Sequence, residues 1–363
     1  MAPIKERKKH DMDITKTERK RWKEKKLLKS LEKHKKEKIP VQESEIPPKL
    51  KELSTVSIAL PGSILENAQS PALRSYLAGQ IARAACIYRV DEIIVFDDGL
   101  NPNARKSTIS LTDGVTEIPH CCVQLARTLQ YLECPQYLRK FFFPVHDDLQ
   151  YAGLLNPLDA PHHLRQNDVF LFREGVVTTK PVKEGEGSIV NVGLLQDVHV
   201  DKLLTAGLRC TVELLPQNEG QKKQKGLVVP PSSPCRKRGV YWGYTVRIAT
   251  SLSQVFSQSP YKKGYDLTIG TSDKGSPVKD FTCPRYRHLL VTFGGLQGLE
   301  AALESDDSLK VDEPQLLFDH YLNVAPNQAS RIIRTEEAIL ITLARLQPLL
   351  NPKRDYIQTQ TVD

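Results

Sequence analysis

A strand, a helix and a second strand occupy about forty residues, from Thr55 onward, of this 363-residue chain. That unit constrains everything that follows it. "TVSIAL" alternates, with Val56, Ile58 and Leu60 on one face. Pro61-Gly62-Ser63 breaks it. Ser70 before Pro71 is a helix start, a hydroxyl N-cap followed by proline at the first helical position. The helix runs to about Tyr88 on a stripe of Leu73, Leu77, Ile81, Ala84 and Tyr88. "DEIIVFDD" then places a strand over 93–96 that is apolar without alternation, as in strands covered on both faces of a parallel sheet. Strand, helix and strand at this spacing form a βαβ unit, and the fold class is α/β.

The pattern continues, is interrupted, and resumes. "HCCVQLARTLQYLECPQYLRKFFF" reads as a helix broken at Pro135, with Leu125, Leu129 and Leu132 on its buried side. Over 170–229 the text changes to short, closely spaced strands, "FLFREGVVTT", "SIVNVGLLQDVHV", "LRCTVELL" and "GLVV". These suggest a small β-barrel or sandwich. An OB-like barrel, a type that often binds oligonucleotides, is one candidate. A structural insert with basic surface loops is the other. From "GVYWGYTVRIATSLSQVF" the α/β style returns. Three strand-like segments then end in polar elbows: "GTSDKG", "GGLQG" and "APNQASRIIRT". The closing helix, "TEEAILITLARLQPLL", has Thr335 as its expected N-cap, with Glu336 and Glu337 complementing its dipole. Ile339, Leu340, Ile341, Leu343 and Leu346 make it apolar on more than one side, so it should be buried by its own chain or by a second subunit.

Composition narrows the setting. With 40% apolar and 26% charged residues the chain has ample material for a core. No apolar run approaches the ~20 residues that span a bilayer, so no membrane role is expected. The start lacks the apolar centre of a secretory signal. Seven cysteines, none in a Cys-x-x-Cys pair and two of them the adjacent Cys121 and Cys122, read as reduced thiols of a cytosolic or nuclear protein. The net charge of +8 sits at the start: residues 1–38 carry 16 Lys/Arg against 7 Asp/Glu. That stretch is a nucleic-acid tether, a nuclear import signal or a solubilising tail.

Several chemistries find no footing. "GGLQGLE" lacks the Gly-x-Gly-x-x-Gly spacing, no Gly-Lys-Ser/Thr follows a glycine loop, and there is no Gly-x-Ser-x-Gly elbow. His162-His163 has no partners at metal-ligand spacing, and no metal site is expected.

The phrases "ALPGSILENAQSPALRSYLAGQIARAACIYRVDEIIVFDD", "LECPQYLRKFFFP", "GLLNPLDAPHHLRQ", "YWGYTVR", "DLTIGTS", "FGGLQGLE" and "SRIIRTEEAIL" resemble, in order, the SPOUT-class RNA methyltransferases. Within that class they are similar to the eukaryotic SPOUT-domain-containing methyltransferase and its archaeal relatives, over about 55–350. The resemblance implies a SPOUT α/β domain with a C-terminal trefoil knot, split by an OB-like insertion. It places a basic tail at 1–52, the first part of the domain at 53–165, the insertion at 166–235 and the second part at 236–363. It implies S-adenosyl-L-methionine as cofactor, a homodimer and RNA as substrate, with uridine N3 of ribosomal RNA as the target by analogy.

The same resemblance assigns residues. Thr271, Gly294, Gly295, Leu296, Gly298, Asn323, Gln328, Ile333 and Thr335 are the expected cofactor-binding set. A Cβ at Gly294 should collide with the ligand, so Gly294→Val should abolish binding while the fold survives. Arg74 and Arg334 are expected at phosphate or developing charge. Glu336 is either a proton acceptor or a stabiliser of the helix start. Arg83 is a weaker candidate, with a structural helix arginine as the plainer reading. The alternative function is an RNA-binding scaffold with spindle or kinetochore partners and little turnover. The expected location is nucleus and cytoplasm, with association to the mitotic spindle or kinetochore.

Overall fold

The computed structural model describes residues 54–100, 118–183, 185–216 and 223–350. The expected basic tail therefore lies outside the described residues. The βαβ unit opens the fold. β1 (Thr55–Pro61) and β2 (Glu92–Phe96) pair in parallel, joined by α1 (Pro71–Ile87). The Ser70 hydroxyl accepts from the Leu73 N–H at 3.3 Å, so the N-cap is the one the sequence predicts. Leu73 itself departs from the expected stripe: it is 52% exposed, because it lies in the first turn of α1.

α2 (His120–Glu133) and α3 (Gln136–Phe142) follow, separated at Pro135 as expected. The barrel strands are β3 (Phe172–Val177), β4 (Ile189–Asn191), β5 (Val198–Val200), β6 (Arg209–Leu214) and β7 (Gln224–Val229). They close in the order β3-β4-β5-β7-β6, with only β5 and β7 parallel. α4 (Ser233–Arg238) leads back to β8 (Thr245–Ala249) and α5 (Leu252–Ser257). The chain ends with β9 (Leu267–Pro277), β10 (His288–Thr292), α6 (Gly298–Glu304), β11 (His320–Asn323) and α7 (Thr335–Leu346).

The six-stranded sheet is parallel throughout, in the order β11-β9-β10-β1-β2-β8. Val56, Ile58 and Leu60 face one core with residues of α1, α2 and α7; Ala59, Ile94, Phe96 and Leu290 face the other with residues of α5 and α6. Both faces are covered, which explains why β2 is apolar without alternation. β9 departs from the expected strand-then-turn. It pairs with β11 at Ile269 and Gly270 and again at Ser276 and Pro277, so 271–275 leave the register as an excursion and return.

A buried charge network ties the barrel to the α/β domain. Glu133, at the end of α2, takes two hydrogen bonds from Arg209 of β6, at 2.7 and 3.0 Å. Arg209 also donates to Glu174 of β3 at 2.7 Å, and Trp242 Nε1 donates to the same carboxylate at 2.7 Å. His162 stands 3.0 Å from the Glu133 carboxylate. Burial alone would raise the Glu133 carboxyl, but Arg209 and His162 hold it well below the usual carboxylate range. Removing one partner would leave an unpaired buried charge, so this network fixes how the barrel sits on the domain.

No helix among the described residues is long and apolar enough to cross a membrane. None of the seven cysteines is in a disulfide.

Candidate cofactor and RNA site

Because every strand of the sheet runs the same way, all six carboxyl ends meet one edge, where open α/β sheets bind ligands. The β10 elbow lies there. Phe293 is buried and its N–H donates to the Ala59 carbonyl at 2.8 Å. The chain then turns through Gly294 and Gly295, and the Gly298 N–H closes the turn on the Gly295 carbonyl at 3.1 Å. Gly298 has φ +77°, a conformation that favours glycine, and opens α6. Leu296, at the tip, is 62% exposed.

The neighbouring elbows are stitched to it. Thr271, first residue of the β9 excursion, donates its hydroxyl to the Thr292 carbonyl at 3.0 Å. Asn323 donates its amide to the Asp273 carbonyl at 2.7 Å and accepts from the Ala325 N–H at 2.9 Å, which ties the β11 loop to the same excursion. Thr335 donates to the Gly294 carbonyl at 3.0 Å. Its expected role as N-cap is thereby corrected: Arg334 is the N-cap, with its N–H on Glu337 at 3.1 Å, and Thr335 is the first helical residue. The hydroxyl serves a residue of another elbow instead of its own helix. The Gln328 N–H turns back onto the Ala325 carbonyl at 3.1 Å. Ile333 is half-buried beside them. Among the described residues, the N–H groups of Leu296 and Ile333 have no acceptor.

The glycines divide by what surrounds them. A Cβ at Gly294 would lie 2.6 Å from the Gly298 carbonyl carbon and 2.8 Å from the Leu299 nitrogen. The collision is with the elbow's own backbone, so the expectation that Gly294→Val leaves the fold intact is corrected. At Gly295 the nearest atoms are side chains: Asp98 Oδ2 and Pro61 Cγ at 3.2 Å and Ser63 Oγ at 3.4 Å. Without a side chain at Gly295, the β10 elbow packs closely against the ends of β1 and β2.

Two of those neighbours were not singled out from the sequence. Asp98 accepts from the Ser63 hydroxyl at 2.5 Å and is 2% exposed. Burial raises its carboxyl above the ordinary value, and burial raises that of Asp97 too. The available signal was two aspartates directly after an apolar strand.

Of the catalytic candidates, Arg334 and Glu336 flank Thr335 in the chain, while Arg74 is engaged elsewhere. Arg74, in the first turn of α1, is paired with Glu66 at 3.0 Å and reaches the Ala68 carbonyl at 3.5 Å. Arg334 is exposed at the start of α7. Glu336, one residue into that helix, is half-buried and makes no hydrogen bond or ion pair among the described residues. Arg83 donates to the Leu158 and Pro157 carbonyls at 2.7 and 3.3 Å, as expected of a structural arginine. No cluster of three or more metal-ligating side chains occurs among the described residues.

An elbow site built from backbone at the carboxyl edge, on a sheet interrupted by a barrel, is the arrangement that the sequence resemblance implies. Residues 55–346 match the family model described as "Putative RNA methyltransferase", and the chain belongs to that family. The RNA-methyltransferase family that its motifs resemble is thereby borne out. Among its relatives is the 28S rRNA (uridine-N(3))-methyltransferase of Drosophila melanogaster, 57% identical over 317 residues, which cover 85% of this chain and 65% of that protein. The proteins of the same name in Mus musculus and Homo sapiens are 59% and 58% identical over 295 residues, or 81% of this chain and 76% and 78% of theirs.

Proposed function

We propose that the protein uses S-adenosyl-L-methionine to methylate N3 of a uridine in large-subunit ribosomal RNA. The observation that carries this reading is the stitching of the β9, β10 and β11 elbows through Thr271, Asn323 and the Thr335–Gly294 hydrogen bond, with the Leu296 and Ile333 N–H groups beside it unpaired among the described residues. The names of the relatives above support the same target. Leu296 and Ile333, beside the Gly294–Gly295 turn, would hold the cofactor, largely through backbone. When bound, it supplies a methyl carbon already activated on a sulfonium.

The chain's residues then have defined tasks. They must align a uridine and exclude water. N3 carries a proton that must leave before its lone pair is available. The unpartnered Glu336 carboxylate is the acceptor we assign to it. Arg334 and Arg74 hold RNA phosphate or the charge developing on the base, Arg74 by exchanging Glu66 for the RNA.

Two further features belong to this reading. From β11, at the sheet edge, the chain returns across the end of β9 to place Thr335 under the β10 elbow and α7 against α1. We read that return as the trefoil knot of the SPOUT class. The β3-β4-β5-β7-β6 closure is the strand order of an OB-like barrel, which we assign to RNA positioning. Leu73 and Tyr76 on α1, Ile332 beside α7 and Leu340 on it are each 45–59% exposed, and we take this apolar surface as a homodimer interface.

The test is methyl transfer from labelled cofactor to total RNA from cells lacking the protein, followed by nucleoside analysis. Label in 3-methyluridine of large-subunit RNA is the expected result. Absence of label, or label in another nucleoside, overturns the reading.

A further inference from the structure

A second cavity, of about 370 Å³, opens at the opposite edge of the sheet. Its walls come from the end of α1, the 158–161 segment and the link from α4 into β8. Arg83, Arg89, Asp159, Gly239, Val240 and Tyr241 define it. Tyr241 is anchored through its hydroxyl to the Val90 carbonyl at 2.7 Å, directly before β2. β2's 5 residues span roughly 17 Å at ~3.3 Å each, so this cavity stands well apart from the Gly295 elbow.

The two non-glycine residues with positive φ among the described residues, Arg89 at +56° and Asp159 at +51°, both line it. Arg89 follows the cap of α1. Its N–H bonds to the Cys86 carbonyl at 3.2 Å, and the Val90 N–H bonds to the Ala85 carbonyl at 2.9 Å. That is a Schellman ending, whose left-handed position is usually glycine. An arginine there accepts conformational cost, which is most simply accounted for by what its side chain does in the cavity. Arg83, the other cation, is held by one guanidinium nitrogen on the Leu158 and Pro157 carbonyls. Asp159 is the one acidic group in the wall, so the wall carries a net positive charge. Exposed Arg236 and Arg238 on α4, immediately before Gly239, extend that charge outward, while Lys237 is committed to Glu213 at 2.6 Å.

We propose that this cavity binds one nucleotide unit of single-stranded RNA, its phosphate on Arg83 and Arg89 and a ribose hydroxyl donating to Asp159. The volume is of the size of small-ligand sites, the floor of Val240 and Tyr241 is apolar, and the cations suit a phosphodiester. The inference rests on the RNA reading above and deepens it: the substrate is gripped at both edges of the domain, once for chemistry and once for register.

Arg89→Gly tests it, because glycine keeps the left-handed backbone conformation while it removes the cation. Binding of a single-stranded oligouridine and of uridine monophosphate is measured over a salt series, with Arg89→Lys as the charge-retaining control. Arg89→Gly should weaken oligouridine binding roughly tenfold, as for one lost charged hydrogen-bond contact. It should also flatten the slope of log affinity against log salt by ~0.7. Arg89→Lys should keep the slope. S-adenosylmethionine affinity and the melting temperature should stay at wild-type values in both. If Arg89→Gly affects the mononucleotide and not the oligomer, the site stands as one for a free nucleotide. If the wild type binds RNA and Arg89→Gly changes neither affinity nor slope, the inference falls while the RNA reading stands. If the wild type transfers no methyl to RNA but loses mononucleotide binding on Arg89→Gly, the RNA reading falls and the site remains.

Discussion

The hydroxyl of Thr335 donates to the carbonyl of Gly294 at 3.0 Å, across 41 residues of chain. It joins the start of the closing helix to the glycine elbow, and Thr335 is 8% exposed. The hydrogen bond therefore sets the distance between the two segments assigned to the cofactor.

Thr335→Val keeps the shape and removes that bond. A part-buried carbonyl left without its donor costs about 1–3 kcal/mol. The expected outcome is a melting temperature lower by a few degrees and a clear loss of S-adenosylmethionine affinity by calorimetry. Lower stability with unchanged affinity would make the bond a staple with no part in the site.

Gly294 and Gly295 should separate fold from ligand. Gly294→Ala forces the elbow's own backbone apart, so stability and binding should fall together. Gly295→Ala meets side chains at 3.2–3.4 Å, which must shift slightly to admit it, so stability should fall less than for Gly294→Ala while cofactor binding drops. Equal affinity for Gly295→Ala and wild type would remove Gly295 from the site.

The barrel clamp predicts acid sensitivity. Burial holds the His163 imidazole down, from 6.5 to about 4. The unfolded chain takes up that proton as pH falls below 6.5 and the folded protein does not until about 4, so stability declines across that window. Glu133, held well below the usual carboxylate range, adds a further loss at lower pH, because the unfolded carboxyl protonates first. Melting temperature measured against pH should fall from about 6.5 downward, and His163→Gln should remove the upper part of that fall. A flat profile between pH 7 and about 4.5 would remove His163 from the account.

The α1–α7 surface predicts a dimer. Tyr76→Glu with Leu340→Glu places two carboxylates on an apolar patch and leaves the core untouched. Light scattering should find a dimer for the wild type and a monomer for the double variant. A wild-type monomer at micromolar concentration would remove the interface.

Short-range chemistry was legible from the residues alone. Ser70 caps its helix because the acceptor and donor lie three residues apart, and β2 reads as a buried parallel strand because its own residues carry the pattern. Pro135 breaks a helix by its ring and missing N–H, whatever surrounds it. The alternation of α/β and β-rich text likewise marked the inserted barrel before its closure was known. The site was legible only as a set of elbows. The same local reasoning placed Thr335 on its own helix as a cap, and only the tertiary fold turned its hydroxyl to Gly294. It gave Gly294 a ligand as neighbour where the fold gives it Gly298. Asp98 and Ser63, 35 residues apart, meet because β1 and β2 pair, and Glu133 meets Arg209 across 76 residues because the barrel docks. A hydrogen bond between distant residues leaves no periodicity in the chain; its partners are chosen by which strand ends the sheet brings together.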